Sequence, residues 1–173
     1  MAKVTPPEQY PRAKWVPASA LNIGGMLDQS KVRLFVVHVA QGSNQSGIDS
    51  WFRNPRAEVS AHFSISRLGI VHQHVNLNRV AWAEMDYNDV AISIEHLGYS
   101  GHKLTTLQLR AAKRLLRWLH WHYPHVPLHR TGDPLGTGII GHGELGVAGG
   151  NHPDCPGWPI LAQFNRALRT PRV

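Results

Sequence analysis

Lys31–Ala40, KVRLFVVHVA, is the stretch from which the fold is read. A run of apolar, largely β-branched residues, broken by Gln41-Gly42-Ser43, is the signature of a buried strand. This strand delivers His38 to its C-terminal end. Two further stretches have the same character. Val90–Glu95, VAISIE, ends in a carboxylate, and Gly138–Gly141, GIIG, is followed at once by His142. In sheets of this kind chemistry gathers at strand ends, so His38, Glu95 and His142 are expected to converge.

Outward from this core, Ser46–Phe52 reads as a short helix stopped by Asn54-Pro55. Val59–Ser66 and Ile70–Val75 alternate with period two around Arg67-Leu68-Gly69 and predict a hairpin. Asn76–Asn88 reads as an irregular loop carrying Trp82. Thr105–His122 is the clearest helix, with Leu104, Leu107, Ala111, Leu115 and Leu119 as its apolar stripe and Arg110, Lys113, Arg114 and Arg117 as a basic flank. Pro159–Leu168 predicts a C-terminal helix, and Thr170–Val173 a tail. Residues 1–30 read as an extended arm anchored by Trp15 and Leu21, and residues 31–173 as one domain. Strands separated by helices, with one hairpin, imply an α/β fold: a mixed central β-sheet flanked by helices.

The totals narrow the function. The chain has 173 residues, 42% of them hydrophobic, which suffices for one sizeable core. No apolar stretch approaches membrane-spanning length, so no membrane insertion is expected. Met1–Pro7 has no secretory apolar core, and the expectation is synthesis in the cytoplasm without a signal peptide. A formal charge of +7 suits a polyanionic partner: nucleic acid, an acidic membrane face or an anionic wall. A nucleic-acid surface would interleave basic with aromatic residues. The basic flank has only Trp118 to offer, so no nucleic-acid partner is expected, and the protein is read as a monomer.

The chemistry lies in Gly138–Gly157, GIIGHGELGVAGGNHPDCPG. The single cysteine, Cys155, makes no internal disulfide; its value lies in packing, reactivity or metal binding. With His38 and His142 it forms a trio of zinc ligands that leaves a fourth position open, the catalytic rather than the structural arrangement. Glu95 is placed to accept a proton from water and return it to a leaving group. The expected chemistry is zinc-assisted hydrolysis of an amide or ester. Plainer readings stand beside these. His38 can be a core histidine, Cys155 an inert thiol, and Glu95 a surface partner of Arg67. His62 is weighed between supporting the site from behind or binding substrate in the pocket and plain packing, Trp82 between lining a substrate groove and filling the core, and Asn88 is a weaker groove candidate. The glycines of Gly146–Gly150 read as a flexible segment and match no phosphate-binding motif.

VVHVAQGS at Val36–Ser43, VSAHFSIS-RLG at Val59–Gly69, AISIEHLG at Ala91–Gly98, GHGEL at Gly141–Leu145 and HPDCPG at His152–Gly157 occur in this order in one family. The chain resembles the zinc N-acetylmuramoyl-L-alanine amidases of type 2, whose fold is shared with peptidoglycan recognition proteins. Trp51–Phe63, with WFRNP before VSAHF, is similar to phage and bacterial wall-degrading members. The resemblance spans roughly Lys31–Leu168. It implies His38, His142 and Cys155 as ligands of one catalytic Zn²⁺, Glu95 as the catalytic acid–base, and peptidoglycan as substrate, cut between N-acetylmuramic acid and L-alanine. It also implies a phage endolysin; since Met1–Pro7 shows no secretory core, action on the wall is expected to follow release by a separate factor or removal of a leader. Asp154 is a competing ligand, because some relatives use Asp before Pro-Gly. Many members carry a lysine two residues before the third ligand; here that position is Pro153, and His152 is the candidate replacement as catalytic hydrogen-bond donor. The alternatives are a non-catalytic peptidoglycan-binding module and a cytosolic muropeptide-recycling amidase.

Overall fold

The computed structural model describes residues 8–169. Met1–Pro7, on which the leader expectation rests, and the tail Thr170–Val173 lie outside the described residues. Eight strands, β1 (Lys14–Trp15), β2 (Ile23–Met26), β3 (Leu34–Val39), β4 (Phe63–Ile65), β5 (Val71–Gln73), β6 (Arg79–Ala81), β7 (Ala91–His96) and β8 (Gly138–Gly141), are joined with three α-helices, α1 (Gln45–Arg53), α2 (Thr106–His122) and α3 (Trp158–Arg169). Six strands form one mixed sheet in the order β1-β5-β4-β7-β3-β8. β7 and β8 flank β3 in parallel, β4 runs parallel to β7, and β4–β5 is the antiparallel hairpin.

Every residue of β3 is buried, as a central parallel strand requires. Its alternate residues go to opposite faces. Phe35, Val37 and Val39 join Ile92, Ile94 and Ile139 in a core with Leu115, Leu116 and Leu119 of α2 and Ile160 and Phe164 of α3. On the other face Leu34, Val36, Ala91 and Ile140 meet Leu145 and Tyr87. His38 and Glu95 fall in that second register. The site is therefore on the face turned away from α2 and α3.

Local sequence sets the helix ends. Thr105 and Gln108 form a reciprocal capping box at the start of α2, and Asn44 caps α1, which stops at Asn54 before Pro55. The buried residues of α2 are Gln108, Ala111, Ala112, Leu115, Leu116 and Leu119. Leu107, expected in the stripe, is 48% exposed. The stripe is rotated by one residue because Gln108 is drawn inward, where its amide donates to the carbonyls of Ile65 and Leu97.

Three other expectations are corrected. Trp15 and Leu21 do not anchor the N-terminal segment, since both are exposed; Tyr10, Val16, Ala18 and Leu27 are the buried residues there. Buried Asn22 ties that segment down by donating to the carbonyls of Phe52 and Asn54. Asn76–Asn88 is not wholly irregular, because β6 pairs antiparallel with β2 and a 3₁₀ turn over Met85–Val90 leads into β7. Gly146–Gly150 is not an open flexible segment: 3₁₀ turns over His142–Leu145 and Val147–Gly149 fold it back on itself. Among the described residues no helix is long and apolar enough to cross a membrane.

Candidate active site

The sheet register brings the chemistry together. His38 pairs with Glu95 across β3 and β7, and Val37 pairs with Gly141 across β3 and β8, so His142 follows in the next rung. The His38 and His142 rings lie 4.3 Å apart, centroid to centroid. Cys155 enters from the loop before α3. The candidate ligand atoms of His38, His142 and Cys155 all lie within 4.8 Å of one another. A tetrahedral ion with bonds of about 2.0–2.3 Å spaces its ligands by roughly 3.3–3.8 Å, so a small inward shift suffices to hold one.

The hydrogen bonds set which nitrogen each ring presents. His142 Nε2 lies 2.8 Å from the carbonyl of Gly149, which only accepts, so Nε2 carries the proton and Nδ1 keeps its lone pair. His38 Nε2 lies 2.9 Å from Oε1 of Glu84, and its Nδ1 faces Glu95 Oε1 at 3.9 Å. Cys155 Sγ accepts from the Val39 N–H at 3.4 Å, a contact that favours thiolate.

The cysteine loop is fixed by close backbone contact. Gly143 donates its N–H to the carbonyl of Cys155, and a Cβ on Gly143 would sit 2.6 Å from the Pro153 carbonyl oxygen and 2.7 Å from that of His152. Only glycine admits that approach. Glu144 accepts from the Gly141 N–H at 2.7 Å and pairs with Arg130, locking the end of β8. Residues of the GHGEL segment thus hold the two ligand-bearing pieces together.

The charges of the site call for a cation. Burial holds the His38 and His142 imidazoles neutral, with pKa values lowered to about 3. Burial, reinforced by Glu95, pushes the Cys155 thiol up to about 12. Burial, with Glu84 nearby, raises Glu95 to about 8, and burial raises Glu84 well above the usual carboxylate range. Oε2 of each glutamate is buried without a hydrogen-bond partner. All these shifts disfavour charge, and a divalent ion among the three ligands would reverse each of those on the acids. The donor set, two imidazoles and a thiol, suits zinc.

A cleft of about 990 Å³ opens over this cluster. Glu95, with 17% of its side chain exposed, reaches the floor, and Trp51, Glu58, Trp82 and His152 also line it. No Lys or Arg is among its described lining residues. The basic flank of α2 belongs to the helix on the opposite face of the sheet.

The N-acetylmuramoyl-L-alanine amidase family, Amidase_2, matches residues 28–158. The chain belongs to this family. Amidase A of Achromobacter lyticus, an N-acetylmuramoyl-L-alanine amidase, is 37% identical over 90 residues, 51% of this chain and 49% of the relative; the chain thus matches about half the length of that curated relative. Among solved structures, a selenomethionine derivative of AmpD superposes with a TM-score of 0.73 at 23% identity, covering 96% of this chain and 99% of the other. LysC, an N-acetylmuramoyl-L-alanine amidase from Clostridium intestinale, gives 0.69 at 18%, covering 94% and 100%. The peptidoglycan recognition protein SD of Drosophila gives 0.64 at 16%, covering 89% and 94%. At these identities the structures establish the fold. The five-motif resemblance is borne out at the level of the family, and the mixed sheet with it.

In this amidase-family chain several candidates take positions that the sequence did not resolve. Asp154 is exposed on the cleft rim, outside the cluster that includes Cys155. His152 lies on the cleft, its ring 4.8 Å from that of His142. Trp82 lines the cleft while also packing on the core. Asn88 lines it too, but its amide oxygen is committed to the backbone N–H groups of Ala83 and Glu84. His62 does not reach the cleft: it is fully buried, with Nδ1 at Ser93 and Nε2 at the Arg79 carbonyl, which corrects its placement in the substrate pocket and leaves open a role behind the site. The residue that sequence reasoning missed is Glu84. Its only signal was an acid inside the otherwise apolar run Val80–Met85, in a loop with no periodicity to read.

Proposed function

We propose that this chain is a zinc-dependent amidase that cleaves peptidoglycan between N-acetylmuramic acid and L-alanine, acting on the bacterial wall as a phage endolysin does. The observation that carries this reading is the convergence of His38, His142 and Cys155 beside Glu95 on the floor of an open cleft. His38 and His142 would bind the ion through Nδ1 and Cys155 through its thiolate. When bound, zinc supplies Lewis acidity toward the lactyl carbonyl and a lowered pKa for a water. Glu95 takes the proton from that water and returns it to the departing amine of the stem peptide. His152, on the cleft beside His142, donates a hydrogen bond to the oxygen on which negative charge develops. The open cleft admits a polymer, with Trp51 and Trp82 offering faces to stack on sugar or peptide.

The net charge of +7 supports adsorption to an anionic wall, an effect that weakens with salt. It acts from outside the cleft, so high salt is expected to slow digestion of whole walls more than hydrolysis of a small soluble muropeptide. A non-catalytic module is disfavoured by the complete ligand set.

The direct test is digestion of purified walls, with new L-alanine amino termini as product. A chelator is expected to abolish release and added Zn²⁺ to restore it. Release of another terminus, or activity indifferent to chelation, would overturn the proposal. Turnover confined to soluble muropeptides would assign the chain to recycling instead. For His152→Ala, turnover is expected to fall about tenfold to a hundredfold with zinc still bound, less than the loss of a committed oxyanion donor because the metal shares that task. Unchanged turnover would remove His152 from the mechanism.

A further inference from the structure

Glu84 is a carboxylate with no solvent exposure, and among the described residues His38 is its only ion-pair partner. Among the described residues no lysine or arginine pairs with it. A buried carboxylate without a cation is costly, yet this one is held in place by several elements. Asn88 Oδ1 accepts from the N–H groups of Ala83, at 3.0 Å, and Glu84, at 2.6 Å, and so shapes the turn from which Glu84 points inward. The Ser93 hydroxyl of β7 lies beside it. Ser93 is itself clasped by His62, whose N–H donates to Ser93 Oγ and whose Nδ1 accepts from the Ser93 N–H, both at 3.2 Å. His62 Nε2 in turn donates to the Arg79 carbonyl at 3.1 Å. A polar chain therefore runs from β6 through His62, Ser93 and Glu84 to Nε2 of His38, beneath the cleft.

We infer that Glu84 is a positioning residue for the metal centre, holding His38 in the tautomer that presents Nδ1 and supplying the fixed negative charge that balances a divalent ion on His38, His142 and Cys155. The inference rests on the zinc reading above. Its electrostatics are simple. A divalent ion with two neutral imidazoles and one thiolate carries a single net positive charge. Glu84 cancels it from the buried side and leaves Glu95, on the cleft side, free for proton transfer. A carboxylate behind a ligating histidine also raises its basicity and fixes the ring. This gives the fully buried His62 a role as the far support of that chain.

The test compares zinc affinity and metal-free stability in Glu84→Gln and Glu84→Ala. Affinity is read by competition with a chromophoric chelator, and the ligand field from the visible absorption of the Co²⁺-substituted protein. Glu84→Ala is expected to weaken zinc binding about 10–100-fold, and Glu84→Gln, which keeps the volume and a hydrogen-bond acceptor, by less. The Co²⁺ bands are expected to shift in both. Without metal, Glu84→Gln is expected to melt no lower than wild type, because it removes a desolvated acid with an unpartnered oxygen. Affinity and metal-free stability thus move independently, which a merely structural residue would not show. Wild-type affinity in both variants overturns the inference, as does a loss of affinity matched by a loss of metal-free stability. A wild-type chain that binds no zinc overturns the zinc reading itself and this inference with it. Should Glu84→Ala fail to fold, Glu84→Gln alone decides.

Discussion

Replacing Glu95 with alanine is expected to slow wall hydrolysis at least about a hundredfold while zinc content stays at the wild-type level, the usual scale for losing a general base. Glu95 sits in the rung of His38, and its carboxylate is the acid that both faces the cleft and approaches a candidate ligand ring. Its Oε2 has no hydrogen-bond partner among the described residues, so the group is not consumed by structure. Burial first, and Glu84 second, raise its pKa to about 8 in the metal-free chain. A cation among the three ligands pulls that value back down, toward the range where one group serves as base and then as acid at neutral pH. Glu95→Gln, which preserves shape and removes only the proton exchange, is expected to be as inactive as Glu95→Ala. Neither variant should be less stable than wild type, because each removes a desolvated acid. Near-normal turnover in Glu95→Ala with zinc bound would remove the proposed mechanism and leave the ligand cluster standing.

The parts of this site that were legible in the sequence are those on regular strands. In β3, β7 and β8 a side chain's face follows from its parity and its reach from its distance to the strand end. His38, Glu95 and His142 could therefore be placed by counting. Cys155 was legible as a lone thiol in the loop after His142, and His152 through the family motif, since the turn that carries them obeys no period. What the sequence hid is what depends on polar burial. Gln108, His62, Asn22 and Glu84 are all at or near zero exposure, and each makes at least one hydrogen bond there to a carbonyl, hydroxyl or ring nitrogen of a distant segment. Composition points the other way for every one of them. Trp15 and Leu21 failed as anchors for the complementary reason, since size does not bury a residue on a segment whose inward positions are already filled by Tyr10, Val16 and Leu27.

Those buried polar groups make stability depend on pH. In the zinc-loaded protein, free energy of unfolding is expected to fall by about 6 kcal/mol between pH 8 and pH 5, from three buried histidines that are not themselves candidate ligands. His62, His74 and His96 each have a pKa lowered by burial to about 4. His74 is held neutral between the Val16 carbonyl and Ser64 Oγ, and His96 against the carbonyl of His38. In the unfolded chain they titrate near 6.5. Below that value the unfolded state binds more protons than the folded state. Their contribution is therefore complete above about pH 6.5 and is lost as pH falls toward 4, at about 2 kcal/mol for each histidine by pH 5. Glu95 and Glu84 work in the opposite sense in the metal-free chain, since a raised carboxyl pKa adds stability on acidification. Zinc bound at the three ligands would keep both ionised and remove that offset, and protonation of the ligands would add to the loss. A loss of this size is comparable with the whole stability of a domain, so acid unfolding is expected near pH 5. Urea melts at pH 8, 6.5 and 5 measure it directly. His62→Gln should flatten the slope by about a third. A zinc-loaded protein equally stable at pH 8 and pH 5 would mean that these imidazoles are charged in the fold and would overturn this account.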